Sequence, residues 1–431
     1  MKFHDMSQAV AEIRATDFLA IPLGPGVPGA FIHALGERDD FENLEVFGAL
    51  LPDLYQLFMR KGVRFRSGFF SAAERFLRDS GANIEFVPAD FRRFSSVIRH
   101  MNPRVVATAG AMPVDGRVSL SLHAGASIDE LHIAAADPDR VVIVEVSPHF
   151  PRTFGVEPHH THSLALEEID HLVLSDAKPV NLPDAEPTEA ERTIAAHAMS
   201  FIHDGCTLQT GIGGIPSQIA SIVAASDLGD LGVHSEMFTT GLMRLHKAGK
   251  VTNRKGSRFD GFSVTTFAAG IPELYEWLHE NREVRFLPVG IVNSAESITS
   301  NRDMVAINGA MAIDLSGQAM ADSIDGTQFS GVGGHEDFVG APGLDVDDRS
   351  LLCLPSTSTV NGKLISRIVP SLGTGSIVST PRHQVDVVIT EFGVAELHGR
   401  TVRERAVALA EIAHPDFRDG LRERAKEWPR G

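Results

Sequence analysis

Short apolar segments that run into a glycine turn and then into a helical pattern recur along this chain. Residues 18–23 lead into a turn over 24–29, and apolar residues at helical spacing follow. Residues 208–210 lead in the same way into the turn 211–214, and a helical pattern continues to Val223. Strand, tight turn and helix in this order are typical of folds that are built on parallel sheets. The sequence therefore predicts an α/β protein.

The second half of the chain repeats the first in outline. Two apolar runs, 141–146 in the first half and 385–391 in the second, have the composition of strands that are covered on both faces. The pattern, rather than residue identity, carries this likeness. We therefore expect two similar α/β units that face each other across a cleft.

A polar, proline-bearing segment over 176–187 is the best linker candidate. Thr188 and Glu191 follow it with the spacing of a capping box, which predicts a helix that begins there. The predicted domains are therefore residues 1–187 and residues 188–431.

Composition limits the class of protein and of partner. With 431 residues, 43% of them hydrophobic and 22% charged, the chain has the make-up of a globular protein of about two domains. A net charge of −17 argues against nucleic acid or a membrane surface as a partner. The chain has neither a long apolar run nor the layout of a signal peptide, and its two cysteines cannot supply a disulfide framework. We expect a cytoplasmic location, and an inert buried thiol at Cys353.

Glu236 is the candidate nucleophile. It lies in the stretch His234-Ser235-Glu236, where an apolar strand pattern ends and a helical pattern begins. The edge where strands of an open α/β sheet end is where ligands bind. A carboxylate there can attack an activated acyl group and form a covalent intermediate. The residue pattern alone favours a carboxylate that stabilises a helix N-terminus over a nucleophile.

Two glycine turns lie on either side of Glu236 in the sequence. One comprises Gly211, Ile212, Gly213 and Gly214, and the other comprises residues 331–334. Such turns can aim backbone N–H groups at a developing negative oxygen, although tight packing or a bulge explains them as well. Pro216 excludes a dinucleotide-binding fingerprint at the first turn.

Four histidines cluster over a short part of the first half. They are His149, His159, His160 and His162. No cysteine or helical His-Glu-x-x-His pattern accompanies them, so we expect no metal site and assign them to a surface or an interface.

Five segments together resemble the acetyl-CoA hydrolase/transferase family of class I CoA-transferases. They are LQTGIGGIP (208–216), GVHSEMFTTG (232–241), MADSIDGTQFSGVGGHEDFVGAP (320–342), VDVVITEFGVAELHGRTVRERA (385–406) and IAHPDFRDGL (412–421). The resemblance implies two tandem α/β domains of the CoA-transferase type, with the active site in the cleft between them. One departure lies at residues 292–295, where relatives often carry a proline after Asn293.

The resemblance also implies a mechanism. Glu236 matches the position of the family's catalytic glutamate, which carries coenzyme A as a thioester in a ping-pong cycle. Coenzyme A contacts, and the amides of an oxyanion hole, are implied at Gly211, Ile212, Gly213, Gly214, Ile215, Met311 and Gly334.

The expected substrates are an acyl-CoA and a small carboxylate of the acetate, butyrate or 4-hydroxybutyrate type. No resident cofactor or metal is expected; coenzyme A is a substrate, and we expect a homodimer. Two alternatives stay open at this point: hydrolysis of acyl-CoA, and a non-catalytic module that only binds acyl-CoA.

Overall fold

Two predominantly parallel β-sheets, one from each half of the chain, form the framework of the protein. The computed structural model describes residues 3–123, 125–324, 326–342 and 346–427. The first sheet has seven parallel strands in the order β4-β3-β2-β1-β5-β7-β9, while β6 and β8 form a separate antiparallel pair. The strands of the first half are β1 (Thr16–Leu23), β2 (Asn43–Ala49), β3 (Val63–Ser67), β4 (Ile84–Phe86), β5 (Val105–Ala111), β6 (Arg117–Ser119), β7 (Val141–Ser147), β8 (Ser163–Ala165) and β9 (His171–Leu174).

The second sheet has six strands in the order β11-β10-β16-β21-β25-β26, and only β26 runs antiparallel to its neighbour. The strands of the second half are β10 (Thr207–Thr210), β11 (Gly232–Val233), β12 (Met237–Phe238), β13 (Ser263–Thr265), β14 (Phe267–Ala268), β15 (Val284–Phe286), β16 (Met304–Gly309), β17 (Ala312–Asp314), β18 (Ala319–Met320), β19 (Ser323–Ile324), β20 (Thr327–Gln328), β21 (Arg349–Cys353), β22 (Thr357–Val360), β23 (Lys363–Ser366), β24 (Ile368–Val369), β25 (Val387–Thr390) and β26 (Gly393–Glu396).

Helices connect the strands and cover the sheets. The α-helices are α1 (Met6–Glu12), α2 (Gly29–Gly36), α3 (Ala72–Asp79), α4 (Phe94–Met101), α5 (Ile128–Ala135), α6 (Glu189–Ala198), α7 (Gly214–Ala225), α8 (Thr240–Lys247), α9 (Pro272–Leu278), α10 (Val289–Val292), α11 (Ala295–Thr299), α12 (His335–Gly340), α13 (Val402–Glu411) and α14 (Pro415–Lys426). Short 3₁₀ turns occupy Gly24–Gly26, Gln56–Met59, Phe91–Arg93, Leu166–Glu168 and Met199–Phe201. In the described part of the chain, no helix has the length and apolar character that crossing a membrane requires.

The two sheets are wound in the same order. In the first, β1 lies between β2 and β5; in the second, β10 lies between β11 and β16. A parallel bridge from His234 to Val264 extends the second sheet to β13, which pairs in parallel with β15. The order β15-β13-β11-β10-β16-β21-β25 therefore corresponds strand for strand to the order of the first sheet. The predicted α/β class is confirmed, while the division into two domains at residue 187 stays a prediction.

The strand–turn–helix units have the predicted local structure. After β10 the chain turns through Gly213, whose φ of 119° suits a residue without a side chain, and α7 begins at Gly214. Thr188 caps α6 as predicted: its side chain accepts a hydrogen bond from Glu191 N, and its own N–H donates to the Glu191 carboxylate at 2.8 Å. This helix ends at Ala198 and continues as a 3₁₀ turn to Phe201.

Candidate active site

Glu236 lies between two short strands of the second half. The N–H of His234 donates to Leu208 O at 3.1 Å, and that of Ser235 donates to Val264 O at 3.1 Å, so the backbone is still held as an extended segment here. The predicted direct passage from strand to helix is wrong: β12 comes first and pairs in parallel with β14, and α8 begins only at Thr240. Glu236 is therefore not in the first turn of a helix.

The main chain around Glu236 is fixed on both sides. Its carbonyl oxygen accepts hydrogen bonds from Thr266 N at 2.9 Å and from Thr265 Oγ1 at 2.8 Å. The buried hydroxyl of Ser235 lies 3.1 Å from Thr210 O, at the end of β10. The direction of the glutamate side chain is thus set by neighbouring strands, which are more precise supports than a loop.

The Glu236 carboxylate accepts hydrogen bonds from two donors. Asn293 Nδ2 lies 2.5 Å from Glu236 Oε2, and the backbone N–H of Gly334 also donates to this carboxylate. Asn293 Nδ2 donates in addition to Asp337 Oδ2 at 2.9 Å, and Arg92 Nε lies 3.1 Å from Asp337 Oδ1. A chain of polar contacts therefore runs from the nucleophile candidate to an arginine of the first half.

Burial dominates the electrostatics of this cluster. It raises the pKa of Glu236 to about 8, and the nearby Asp337 carboxylate adds to that rise, while the hydrogen bonds from Asn293 and Gly334 oppose it. Burial likewise raises the pKa of Asp337 to about 6, against the hydrogen bond from Asn293 and the charge of Arg92. Carboxyl groups with perturbed pKa values in a cavity are typical of catalytic sites.

Gly334 leaves room for the glutamate. A Cβ added at Gly334 would lie 1.8 Å from Glu236 Oε2 and 2.7 Å from Asn293 Nδ2. Both distances are shorter than van der Waals contact, so no other residue fits here unless the Glu236 carboxylate moves. At the start of the same turn, a Cβ added at Gly331 would lie 2.7 Å from Gly68 O and 2.8 Å from the Phe69 ring. The second glycine turn is therefore wedged between the nucleophile candidate and the first half of the chain.

A cavity of about 500 Å³ opens in front of the glutamate. Its lining is mainly apolar and comes from both halves of the chain: Leu23, Leu50, Phe69, Phe91, Phe94, Gln209, Thr210, Gly211, Ile212, Glu236, Met237, Phe267, Asn308, Gly309, Ala310, Met311, Ala321, Ser330, Gly331, Val332, Gly333, Gly334, His335 and Phe338. A cavity of this size and polarity suits a small organic substrate.

The structure brings five of the eight predicted site residues to this cavity. Glu236, Gly211, Ile212, Met311 and Gly334 line it, and Ile212 is 52% exposed. The other three, Gly213, Gly214 and Ile215, are not among its lining residues.

Those three residues instead shape the start of α7. Ile215 is 8% exposed and packs in the core of the second half, because it lies on the inward face of the helix. Gly214 is buried, and a Cβ there would lie 2.8 Å from the Glu191 carboxylate. Gly214 and Ile215 therefore pack into the protein rather than facing the cavity.

Sequence reasoning missed the contacts of Asn293, Asp337 and Arg92, and the aromatic residues of the first half. Asn293 and Asp337 lie in segments that stood out in the sequence, namely the loop 292–295 and the stretch after the second glycine turn. No motif or pattern in the sequence pointed to Phe91 or Arg92. They reach the site because Phe91 N donates to Gly333 O at 3.0 Å. More than half of the sequence separates these two residues.

His162 and His149 lie in different surroundings. His162 is buried, its ring stacks on Phe286 at 5.0 Å, and its Nε2 donates to Ser121 O at 2.9 Å, so its predicted surface position is wrong. His149 instead pairs with Asp176 at 2.9 Å near the surface. Over the described ranges, no group of three histidine, cysteine, aspartate or glutamate side chains could hold a metal ion. Cys353 is buried as predicted, which raises the pKa of its thiol to about 12.

Comparison with known proteins decides the family. Residues 270–425 match the acetyl-CoA hydrolase/transferase C-terminal domain. The succinyl-CoA:cyclohexane-1-carboxylate CoA transferase of Geobacter metallireducens is 33% identical over 98% of this chain and 94% of its own. The chain belongs to the acetyl-CoA hydrolase/transferase family.

Other known proteins are similar to this chain in sequence and in structure. The 4-hydroxybutyrate coenzyme A transferase of Clostridium kluyveri is 40% identical over 67% of this chain and 65% of its own. The crystal structure of RipA from Yersinia pestis, 29% identical, superposes with a TM-score of 0.87 over 99% of this chain and 97% of that one. As a member of this family with several CoA-transferase relatives, the protein is an enzyme of the CoA-transferase class.

Proposed function

We propose that this enzyme moves coenzyme A between an acyl-CoA and a small carboxylate by a ping-pong cycle through a glutamyl-CoA thioester on Glu236. One observation carries the proposal. The Glu236 carboxylate lies in an apolar cavity, where two hydrogen-bond donors, Asn293 Nδ2 and Gly334 N, hold it in place. A module that only binds acyl-CoA has no use for a carboxylate held in this way.

The cycle begins when a Glu236 carboxylate oxygen attacks the thioester carbonyl of the acyl-CoA. The C–S bond breaks and leaves a mixed acyl-glutamyl anhydride and the coenzyme A thiolate. The thiolate then attacks the glutamyl carbonyl, and the first carboxylate leaves with the bonding electrons of the C–O bond. An acceptor carboxylate reverses both steps and departs as the new acyl-CoA. One thioester replaces another throughout, so the cycle needs no resident cofactor and no ATP.

The residues around Glu236 suit this chemistry. When it is ionised, a carboxylate with a raised pKa is a stronger nucleophile than an ordinary glutamate. We assign the oxyanion donors to the amides of the two glycine turns, with Gly334 in direct contact and Gly211 on the lining of the same cavity. We place the site in the cleft between two domains that meet there, and binding of the remote parts of coenzyme A then helps to force the reacting groups together.

Intact-mass analysis after incubation with acetyl-CoA or butyryl-CoA alone tests the proposal. We expect an adduct with the mass of coenzyme A less one water, located on Glu236 by peptide mapping. Glu236→Ala should give no adduct and lose transfer by at least about 10³-fold, because a nucleophile and its covalent intermediate are removed together. Glu423→Ala, a change at an exposed glutamate of α14, is the matched control.

Two other results would contradict transfer. Bound acyl-CoA with no adduct and no turnover would indicate a non-catalytic binding module. Release of free coenzyme A from acyl-CoA at a rate that no carboxylate acceptor changes would indicate hydrolysis, in which water resolves the intermediate. A homodimer and a cytoplasmic location remain predictions from the sequence.

A further inference from the structure

We infer that the acyl site is built for carboxylates with a straight or cyclic hydrocarbon chain longer than that of acetate, and against a second carboxylate. This inference rests on the proposed function and specifies its substrate class. The observation behind it is the composition of the cavity wall on the side of the first half of the chain. We call this wall the apolar wall, and it consists of Leu23, Leu50, Phe69, Phe91 and Phe94, completed by Met237 and Phe267 of the second half.

The apolar wall is a packed aromatic surface rather than a chance group of side chains. The rings of Phe91 and Phe94 meet edge to face with their centroids 5.1 Å apart, and Phe91 meets Phe267 in the same way at 6.1 Å. The Gly68 backbone packs directly against the Phe94 ring, because a Cβ added at Gly68 would lie only 2.4 Å from that ring. A wall packed in this way keeps its shape and offers a hydrocarbon chain a preformed apolar surface.

The apolar wall stands directly beside the nucleophile. A Cβ added at Gly333 would lie 3.3 Å from the Phe69 ring and 4.0 Å from Glu236 Oε1, so ring and carboxylate approach the same point from two sides. Met237 follows Glu236 in the chain and lines the same cavity. An acyl group whose carbonyl carbon is in reach of Glu236 therefore extends its chain along Phe69.

Leu50 is held toward the cavity in a conformation that branched side chains rarely adopt. Its φ is 51°, and two backbone hydrogen bonds maintain it: Leu50 N donates to Phe69 O at 2.8 Å, and Gly24 N donates to Leu50 O at 3.1 Å. Strained positions of this kind cluster at ligand sites, where the surrounding structure over-determines them. Here the strain places one more apolar side chain on the lining.

The lining offers no counter-charge for a second carboxylate. Among the lining residues that the structure describes, none is a lysine or an arginine, and the ionisable groups are Glu236 and His335. Burial lowers the pKa of His335 to about 4, and its Nε2 lies 2.7 Å from Thr380 Oγ1, so the ring is neutral at pH 7. A distal carboxylate would lose its water here without gaining a partner.

Two of the polar side chains on the lining, those of Gln209 and Asn308, bond to each other. Gln209 Oε1 accepts from Asn308 Nδ2 at 3.1 Å and from Ile307 N at 3.1 Å. The apolar wall itself carries no hydroxyl, amide or charged side chain. A terminal hydroxyl that lies along it loses its water without gaining a partner, so it gains less from the site than the corresponding hydrocarbon chain. The expected order of acceptors is hexanoate and cyclohexanecarboxylate above butyrate, butyrate above acetate and 4-hydroxybutyrate, and succinate last.

The test measures kcat/KM for these six acceptors with one acyl-CoA donor. Each added methylene that contacts the apolar wall should raise kcat/KM about fourfold, the equivalent of about 0.8 kcal/mol. Butyrate, which has two more methylenes than acetate, should therefore exceed acetate by about 15-fold. A rate for succinate or 4-hydroxybutyrate equal to or above that of butyrate would overturn the inference, and so would acetate as the best acceptor.

Phe69→Ala, compared with Phe76→Ala, ties the order to the apolar wall. Phe76 lies on α3, is 58% exposed and does not line the cavity. In Phe69→Ala the ratio of hexanoate to acetate should fall several-fold, and in Phe76→Ala it should stay at the wild-type value. A ratio makes the result independent of a general loss of active enzyme. An unchanged ratio in Phe69→Ala would contradict the assignment.

The intermediate separates this inference from the proposed function. The coenzyme A adduct on Glu236 forms from acyl-CoA without any acceptor. If the adduct forms and the acceptors follow another order, only the inference about substrate class fails. If no adduct forms from any acyl-CoA, the proposed function fails as well.

Discussion

At Glu236 the protein keeps a carboxylate where its charge is poorly solvated. Burial and the neighbouring Asp337 favour the protonated acid, whereas the donors Asn293 and Gly334 favour the anion. The nucleophile must be ionised to react, so this balance decides the fraction of active enzyme at a given pH. Here burial is the largest influence, and it leaves the pKa of Glu236 at about 8.

The first prediction concerns pH. Because the reactive form of Glu236 is the carboxylate, kcat/KM for the acyl-CoA donor should rise with pH and level off above about pH 8, near the pKa of Glu236. Well below that pKa it should fall about tenfold per pH unit. A profile of initial rates between pH 5.5 and 9.5 at constant ionic strength checks this. A rate that is level down to pH 6 would show that the free enzyme holds Glu236 ionised, against the effect of burial.

The second prediction concerns Gly334. Gly334→Ala should lower kcat by at least about 10²-fold, because its Cβ would overlap Glu236 Oε2 and turn the carboxylate away from its donors. Gly420→Ala is the matched control: Gly420 is an exposed residue of α14 with open space around the position of its Cβ. That change should leave kcat unaltered and stabilise the helix by up to ~1 kcal/mol. Near wild-type activity of Gly334→Ala would show that the turn can shift to accommodate the added methyl group while the Glu236 carboxylate keeps its position.

At the scale of secondary-structure elements, two segments supply the polar side chains next to the Glu236 carboxylate. The loop after α10 supplies Asn293, and α12 supplies Asp337, which is 2% exposed. Asn293 Nδ2 is shared between the Glu236 and Asp337 carboxylates, and Arg92 closes the chain of contacts from the first half. Both segments stood out in the sequence, yet only packing shows that the Asn293 amide joins the Glu236 and Asp337 carboxylates.

The third prediction follows from this shared amide. Asn293→Ala removes a donor that stabilises the anion, so the pKa of Glu236 should rise and the acidic limb of the pH profile should move to higher pH. Asp337→Asn removes a negative charge that destabilises the anion, so the limb should move to lower pH. The pH profiles of kcat/KM of both variants give the two shifts. Shifts of the same sign would mean that the variants act by general loss of structure.

At the scale of the whole molecule, the first half of the chain holds the second glycine turn in place. Arg75 Nη1 donates to Phe329 O at 2.7 Å, and its guanidinium lies over the Phe329 ring at 4.1 Å. Arg78 Nη1 donates to Gln328 O at 2.9 Å, and Phe91 N donates to Gly333 O at 3.0 Å. The turn that contacts Glu236 is therefore fixed by residues that lie more than 200 positions away in the sequence.

The fourth prediction tests this support. Arg75→Ala removes a hydrogen bond and a cation–π contact of roughly 0.5–1 kcal/mol, so amide exchange over residues 327–334 should become faster. We expect kcat/KM to fall several-fold at the same time. Arg424→Ala, which removes a contact between α14 and Glu427 just after it, should change neither quantity. Unchanged exchange over the turn in Arg75→Ala would show that the other contacts hold it without this side chain.

The class of fold, the strand–turn–helix units and the nucleophile candidate could all be predicted from the sequence. The spacing of apolar residues, the turn glycines and the helix-capping residues are local signals, and they predicted β10, the turn at Gly213 and the cap at Thr188. The short strand after Glu236 escaped this reasoning, because two residues are too few to show a period.

The surroundings of the glutamate, in contrast, could not be predicted, because they form when distant parts of the chain pack together. Phe69, Phe91 and Arg92 come from loops that follow separate strands of the first half, and their convergence on Gly333 and Asp337 depends on how the two sheets pack. The raised pKa of Glu236 has the same origin, because burial by distant residues produces it and no local pattern encodes it. Local sequence patterns specify strands, turns and helix caps, whereas the solvation and the neighbours of a side chain are set only once the chain has folded.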